Sequence, residues 1–252
     1  MSKSKSPFKA NSALRKQIEG FLATHGATLA QEAKRTSMFF ELAAYNDVVQ
    51  YYETNGYAVK PENLRGTTSD FVYALSPNAK AAKCSYFSAT KNYNKGVAHE
   101  FEIRHNLRVR SAHDTEIFVA PDYVVIDKEA LQSTRFPHYY NGKVDYVFVA
   151  AEQVRTFAET KHYMPSPELV LNFVGIVNEI KPAFIRGEFP EKRPKHCGPS
   201  LIISGVGNVH LRKIKDSLAD RYRINVFLGL FQYPSQLYSK GNQANIKKIG
   251  TE

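Results

Sequence analysis

The sequence is poor in cysteine and contains no long apolar run. Its 2 cysteines among 252 residues are widely separated, which argues against a disulfide framework and against a CxxC zinc site. The 8 histidines are scattered without the HExxH spacing of zinc enzymes. No stretch of about 18 apolar residues is present, so no transmembrane helix is predicted. The lysine- and serine-rich start lacks the apolar core of a signal peptide. These absences predict a soluble, cytoplasmic protein with reduced thiols.

Basic residues outnumber acidic ones. The chain has 34 Lys and Arg against 24 Asp and Glu, a formal net charge of +10. A strongly basic protein attracts polyanions, because each neutralised phosphate releases condensed counterions. The 15 tyrosines and 16 phenylalanines supply rings on which bases can stack, although most aromatic residues build cores. The composition therefore favours nucleic acid as a partner.

The hydrophobic pattern predicts an α/β protein. Residues 1–12 are expected to form a flexible basic arm, and residues 13–252 a single domain. Helices are predicted where apolar residues recur at helical spacing, and strands in short β-like runs bounded by Pro, Asn and Gly. The predicted helices are 12–22, 37–55, 167–180 and 209–223; the predicted strands are 70–75, 84–89, 101–109, 117–126, 144–150, 154–162, 200–206 and 225–231.

Two short motifs combine acidic and basic side chains on apolar strands. Pro121-Asp122 lies in one apolar segment and Glu159-Thr160-Lys161 ends another. Side chains alternate along a strand, so Glu159 and Lys161 point to one face together. With Asp122 alongside, two carboxylates and one ammonium share a small volume, an arrangement that binding of a hard cation would relieve. The pair of motifs predicts a metal-dependent catalytic site.

The motifs and the order of elements resemble the PD-(D/E)xK, or restriction-endonuclease-like, nuclease superfamily over about residues 37–233. The resemblance implies a central mixed β-sheet flanked by helices, with an elaborated N-terminal helical and β region. It implies that Asp122 and Glu159 bind Mg²⁺ or Mn²⁺, and that Lys161 positions or helps deprotonate the attacking water. Many members add a helix carboxylate, for which Glu41 on the apolar side of its helix is favoured over Glu100.

Two of these assignments stay open in the sequence. The interval between Asp122 and Glu159 is longer than a simple hairpin needs, so a loop or an extra strand must be inserted. Asp145 on a nearby apolar strand is therefore an alternative first-strand ligand, with Asp114 and Glu116 less favoured. The helix carboxylate is either Glu41 or Glu100.

Other polar segments suggest contacts with phosphate. Arg104, Arg108 and Arg110 are expected on one strand face, where they would form a phosphate-contact stripe or a solvated face. The turn Ser204-Gly205-Val206-Gly207-Asn208 leads into a helix and could cradle a phosphate, although it lacks the dinucleotide fingerprint and a P-loop lysine.

The function expected from these features is a Mg²⁺-dependent endonuclease that cleaves phosphodiester bonds, with DNA favoured over RNA. The resemblance suggests an effector of a prokaryotic restriction or antiphage defence system, gated by a partner protein. A homodimer is left open. The alternative is a non-catalytic nucleic-acid-binding subunit with a degenerate nuclease fold.

Overall fold

A computed structural model describes residues 11–30, 36–67, 69–92, 98–135, 140–143, 145–187, 195–230, 237–238 and 243–250. The helices are α1 (Asn11–Thr24), α2 (Thr36–Thr54), α3 (Pro167–Ile180), α4 (Pro182–Arg186) and α5 (Val209–Arg221). The strands are β1 (Thr28–Leu29), β2 (Ala58–Glu62), β3 (Asp70–Phe71), β4 (Tyr86–Asn92), β5 (Ala98–His105), β6 (Arg108–Arg110), β7 (Phe118–Val119), β8 (Tyr123–Asp127), β9 (Gln132–Thr134), β10 (Tyr146–Ala150), β11 (Val154–Lys161), β12 (Lys195–Cys197), β13 (Ser200–Ile203), β14 (Asn225–Phe227) and β15 (Lys248–Gly250).

A mixed sheet of 7 strands forms the centre of the molecule, in the order β14-β13-β11-β8-β5-β4-β2. From β2 to β11 each pair is antiparallel, and β11-β13-β14 are parallel. Parallel strands need crossover connections, and α3 with α4 and then α5 occupy those intervals of the chain. The predicted α/β class with a central mixed sheet and flanking helices is confirmed.

Two hydrophobic cores lie against the central sheet. One includes side chains of α1 and α2, and the other includes side chains of α3, α4 and α5. On β11, Ala158 belongs to the first core and Phe157 to the second, as alternation along a strand requires. Helix α2 is buried along nearly its whole length, which agrees with its apolar composition on several sides.

Helix α3 forms where the sequence predicted it. Ser166 is the N-cap and its Oγ accepts a hydrogen bond from the Leu169 N–H at 3.4 Å, while Pro167 occupies the first turn. Pro182 ends α3 as predicted, but it also begins the short helix α4, which was not predicted. Proline suits this position because the first turn of a helix needs no N–H donor.

A second sheet of 4 strands, in the order β7-β6-β10-β9, occupies parts of the chain before and after β8. Its strands β9 and β10 fill the long interval between Asp122 and Glu159, where the sequence required an insertion. They are antiparallel, and between them Asn141 and Gly142 both have positive φ. Such a pair of conformations is typical of tight turns at Asn-Gly.

The prediction of one strand over residues 117–126 is wrong. Phe118–Val119 belong to the second sheet as β7, and the central sheet resumes with β8 at Tyr123. Pro121 lies at the change of sheet, where its missing N–H costs no ladder hydrogen bond. Asp122 therefore immediately precedes a central strand instead of ending one.

The predicted strand over residues 101–109 is also divided. Asn106 has a φ of 49°, a left-handed conformation that interrupts a strand. Strand β5 ends at His105 in the central sheet, and β6 begins at Arg108 in the second sheet. The strand predicted over residues 70–75 is limited to β3. The predicted basic arm falls outside the described residues, except for its last two positions, which begin α1. Within the described residues, no helix is both long and apolar enough to cross a membrane.

Candidate active site

The pairing of β8 with β11 brings the two sequence motifs together. These strands are antiparallel, with Ala158 opposite Tyr123. Asp122 precedes Tyr123 and Glu159 follows Ala158, so the next position in the register sets the aspartate beside the glutamate. Glu159 and Lys161 lie two residues apart on the same strand and share a face. Backbone pairing alone therefore assembles both motifs at one end of the β8–β11 ladder.

Lys161 links the two carboxylates. Its ammonium Nζ donates to Glu159 Oε2 at 2.7 Å and lies 3.7 Å from Asp122 Oδ2. The Glu159 side chain is 8% exposed and that of Asp122 is 15% exposed. Such charges are partly shielded from water, and their interactions are stronger than those of a surface ion pair.

Thr160 fixes the Asp122 carboxylate. Its backbone N–H donates to Asp122 Oδ2 at 2.5 Å, and its side-chain Oγ1 donates to the same oxygen at 2.8 Å. Among the described residues, Asp122 Oδ1 accepts no hydrogen bond. Alternation along β11 predicts that Thr160 points to the face opposite Glu159 and Lys161, where a purely structural role would be expected. Its position between the two motif residues instead makes it a positioning residue for Asp122.

The carboxylates of this cluster carry more negative charge than the single ammonium compensates. Burial, followed by the charge of Asp122, raises the pKa of Glu159 from 4.5 to about 7, although Lys161 partly opposes the shift. For Lys161, burial lowers the pKa, but attraction to Asp122 and Glu159 outweighs burial and the pKa is raised overall. Lys161 therefore remains a charged ammonium, whereas Glu159 is only partly ionised near pH 7.

Glu41 joins the cluster from helix α2. Burial is the largest cause that raises its pKa from 4.5 to about 7; Asp122 and Glu159 raise it further and Lys161 opposes them. Helix α2 packs on the face of the sheet that includes Ala158, and it contacts β11 directly. The structure thus brings together all four residues of the predicted site: Asp122, Glu159, Lys161 and Glu41.

The alternative carboxylates have other contacts. Asp145 is exposed and its Oδ1 accepts from Arg135 Nε at 2.5 Å. Glu100 Oε2 lies 2.5 Å from Lys128 Nζ on a partly exposed part of β5. The geometry therefore favours Asp122 over Asp145 and Glu41 over Glu100.

The two less favoured candidates, Asp114 and Glu116, lie in a turn before β7. There the Glu116 N–H donates to Asp114 Oδ1 at 2.8 Å. This local hydrogen bond is typical of an Asx turn. The turn belongs to the approach to the second sheet and precedes the Asp122 segment in the chain.

The three arginines predicted as a stripe do not share a strand. Arg104 lies on β5, where its Nε donates to Glu102 Oε2 at 2.6 Å and its guanidinium lies 3.8 Å from the centroid of the Tyr86 ring. Arg108 and Arg110 lie on β6 in the second sheet. The expectation of a single stripe is wrong because the chain changes sheets after His105.

The glycine-rich turn before α5 has a packing explanation. A Cβ on Gly205 would come within 2.5 Å of the Tyr163 carbonyl oxygen, and Gly207 has a φ of 62°. Asn208 caps α5, with its Oδ1 accepting from the Leu211 N–H at 2.8 Å. Close backbone approach and helix capping therefore account for the glycines and the asparagine.

The oxygen ligands at this site can be set beside those that a hard divalent cation needs. Among the described residues, no group of three His, Cys, Asp or Glu side chains could hold a metal ion. Mg²⁺, however, is usually held by one or two carboxylates together with water and substrate phosphates. Asp122 and Glu159 supply two such carboxylates around one ammonium, and the free Oδ1 of Asp122 adds an available ligand atom. The residues present fit such an ion. Comparisons of the chain with family models, curated proteins and solved structures give no match.

Proposed function

We propose that this protein is a Mg²⁺- or Mn²⁺-dependent nuclease with a restriction-endonuclease-like core. The observation that carries the proposal is the partly buried cluster in which Asp122 and Glu159 contact Lys161 and Glu41 interacts electrostatically with all three. Two of these carboxylates have pKa values raised to about 7. Their ionisation is therefore costly in the metal-free protein, and a bound cation would stabilise the charged forms. The element order α2, β5, β8, β11, α3, β13 supports the proposed core.

Each residue has a role that follows from its contacts. Asp122 and Glu159 would hold the metal ion, and Glu41 would contribute negative charge beside it from α2. An ion held by Asp122 and Glu159 would supply polarisation of the scissile phosphate and a lower pKa for the attacking water. Lys161 is held as an ammonium by its two carboxylate neighbours. This charge state supports orientation of the attacking water and stabilisation of negative charge in the transition state, in preference to proton abstraction.

Nucleic acid is the proposed substrate, and DNA is preferred. The net charge of +10 favours association with a polyanion. A partner protein that controls the activity, a role in restriction or antiphage defence, and a homodimeric state remain parts of this proposal. The second candidate, a non-catalytic nucleic-acid-binding subunit, would use the same net positive charge without metal chemistry.

The test is a cleavage assay with three matched pairs of variants. Supercoiled plasmid, single-stranded DNA and single-stranded RNA are incubated with wild-type protein in Mg²⁺, Mn²⁺ or EDTA. Glu41→Gln is compared with Glu100→Gln, Asp122→Asn with Asp145→Asn, and Lys161→Ala with Lys128→Ala. The nuclease proposal expects metal-dependent cleavage that the first member of each pair loses and the second retains.

Each other result has a defined meaning. Cleavage lost equally in both members of a pair would contradict the assignment of the site. Metal binding by calorimetry that Glu159→Gln abolishes, without cleavage of any substrate, would support a nuclease that needs an activating partner. Nucleic-acid binding with neither metal binding nor cleavage would favour the non-catalytic subunit.

A further inference from the structure

A cavity of about 580 Å³ lies beside the second sheet, between the segment from Asn78 to Ala82 and strands β6 and β10. Three cations line it: Lys80, Arg108 and Lys143. Asp145 is the one carboxylate among the described lining residues, and it is already bound by Arg135 at 2.5 Å. The cavity therefore has an excess of positive charge.

Arg108 is the unusual member of this lining. Its residue is only 9% exposed, yet among the described residues no carboxylate forms an ion pair with it. Its Nη2 donates to Asn78 Oδ1, and its guanidinium lies 3.9 Å from the centroid of the Tyr146 ring. A guanidinium has five N–H donors, and the Asn78 amide is the one hydrogen-bond acceptor that contacts Arg108 among the described residues. Buried charges are normally paired.

We infer that the cavity beside Arg108 binds a phosphoryl group, supplied by a nucleic-acid strand that the proposed nuclease site cleaves. Two oxygens of a phosphate can accept the parallel N–H groups of a planar guanidinium fork. Arg108 is the central donor, and Lys80 and Lys143 supply charge at the exposed rim. The Tyr146 ring holds the guanidinium plane from behind. This inference rests on the proposed function for the source of the phosphate, while the anion site itself does not depend on catalysis.

The chain connects this cavity to the candidate active site. The Asn106 N–H donates to the Asp122 carbonyl oxygen at 2.8 Å, and Arg108 follows two residues later. Two residues of chain span at most about 7 Å, so the backbone of Arg108 lies on the order of 10 Å from that of Asp122. A strand held at Asp122 could therefore place a neighbouring phosphate near Arg108.

The test measures binding separately from cleavage. Labelled single-stranded DNA, single-stranded RNA and duplex DNA are titrated by fluorescence anisotropy in EDTA, with every protein carrying Glu159→Gln. Arg108→Gln is expected to weaken binding by about tenfold or more, the value of a hydrogen bond to a charged group. It should also reduce the slope of log K against log salt by about 0.7–0.9, because one phosphate contact is lost. Arg108→Lys should recover part of the affinity.

Arg221→Gln is the matched control. Arg221 also stacks on a tyrosine, with its guanidinium 5.1 Å from the centroid of the Tyr222 ring, and its loss removes the same charge from a surface outside the cavity. Circular dichroism and thermal unfolding check that each variant folds. Equal effects of Arg108→Gln and Arg221→Gln on affinity and salt slope would overturn the inference.

A second arm identifies the source of the phosphoryl group. Inorganic phosphate and a nucleoside monophosphate are tested for thermal stabilisation of the wild-type protein and of Arg108→Gln. Stabilisation by the nucleotide that requires Arg108, with no effect of Arg108 on oligonucleotide binding, would retain the phosphoryl site but assign it to a free nucleotide. No Arg108-dependent binding of any of these probes would overturn the site. If the cleavage assay detects no nuclease activity, the interpretation of either binding result is unchanged.

Discussion

The raised pKa of Glu159 predicts that removing its charge stabilises the metal-free protein at alkaline pH. The folded-state pKa is about 7 against an ordinary value of 4.5. A raised pKa favours the folded state while the group is protonated, so this contribution is fully present below 4.5 and is lost as the pH rises through 7. Gln resembles the neutral carboxyl group and cannot ionise. Glu159→Gln should therefore remove an electrostatic cost that the wild type bears above pH 7.

The magnitude follows from the shift. One pKa unit corresponds to 1.36 kcal/mol, so a shift of about 2.5 units limits the gain to about 3 kcal/mol. Because the ionisation of Glu159 is coupled to Lys161 and Asp122, we expect Glu159→Gln to raise the free energy of unfolding by about 2–3 kcal/mol at about pH 8. For a chain of this size that gain would raise the Tm by about 4–12 °C. At about pH 4.5 linkage reduces it to about 0.4 kcal/mol.

The assay is urea unfolding in EDTA at both pH values, with the exposed Glu152→Gln as the matched control. Repeating the measurement at alkaline pH with saturating Mg²⁺ should reverse the order, because the ion stabilises the wild type through mass action and Glu159→Gln removes a ligand. An equal gain at both pH values would refute the electrostatic reasoning. A gain at alkaline pH that Mg²⁺ leaves unchanged would confirm the burial cost and contradict the metal site.

Three further predictions concern positioning and the core. Thr160→Val removes the Oγ1 donor to Asp122 and should weaken Mg²⁺ affinity or cleavage by about 10–100-fold, with Thr160→Ser restoring both; an unchanged Mg²⁺ dependence of cleavage would contradict a positioning role. Asp47 is 1% exposed, neither of its carboxylate oxygens has a hydrogen-bond partner among the described residues, and burial raises its pKa well above the ordinary value. Asp47→Leu should therefore stabilise the protein by about 1–3 kcal/mol at neutral pH, and by less at acid pH where the wild-type carboxyl is neutral in both states; a loss of stability in urea unfolding would refute this. Burial, reinforced by the charge of Arg155, lowers the pKa of His196 to about 3. As the pH falls from about 6 to 4, the unfolded state therefore binds a proton that the folded state does not, and the free energy of unfolding decreases by up to about 1.4 kcal/mol per pH unit. His196→Gln should flatten that part of the stability profile, and an unaltered slope would show that His196 is not its source.

Local patterns were sufficient to predict much of the central fold. Ser166 and Pro167 carry the start signals of α3 in adjacent positions, and the apolar spacing that follows gives its buried face. Alternation along β11 correctly predicted that Glu159 and Lys161 share a face. Such features depend on neighbours in the chain, so the sequence alone exposes them.

The second sheet could not be predicted, because its strands are short and its pairing is non-local. Strand β6 has three residues and pairs with β10, far along the chain. The break at Asn106 depends on a left-handed backbone conformation, which asparagine tolerates but does not require. The choice between Asp122 and Asp145 and the role of Thr160 depended on the β8–β11 register, which is tertiary information.

The chain leaves the central sheet after β8 and returns to it at β11. The geometry of the site therefore does not depend on the length of the connection between these two strands. Asp122 and Glu159 are aligned by hydrogen bonds between their own strands. The Asn141-Gly142 turn lies between them in sequence, within the connecting segment that contains β9 and β10. Extra residues at this turn would lengthen a surface loop at small entropic cost and leave the carboxylates in register, so this turn is where a reporter tag or a tethered binding domain can be inserted.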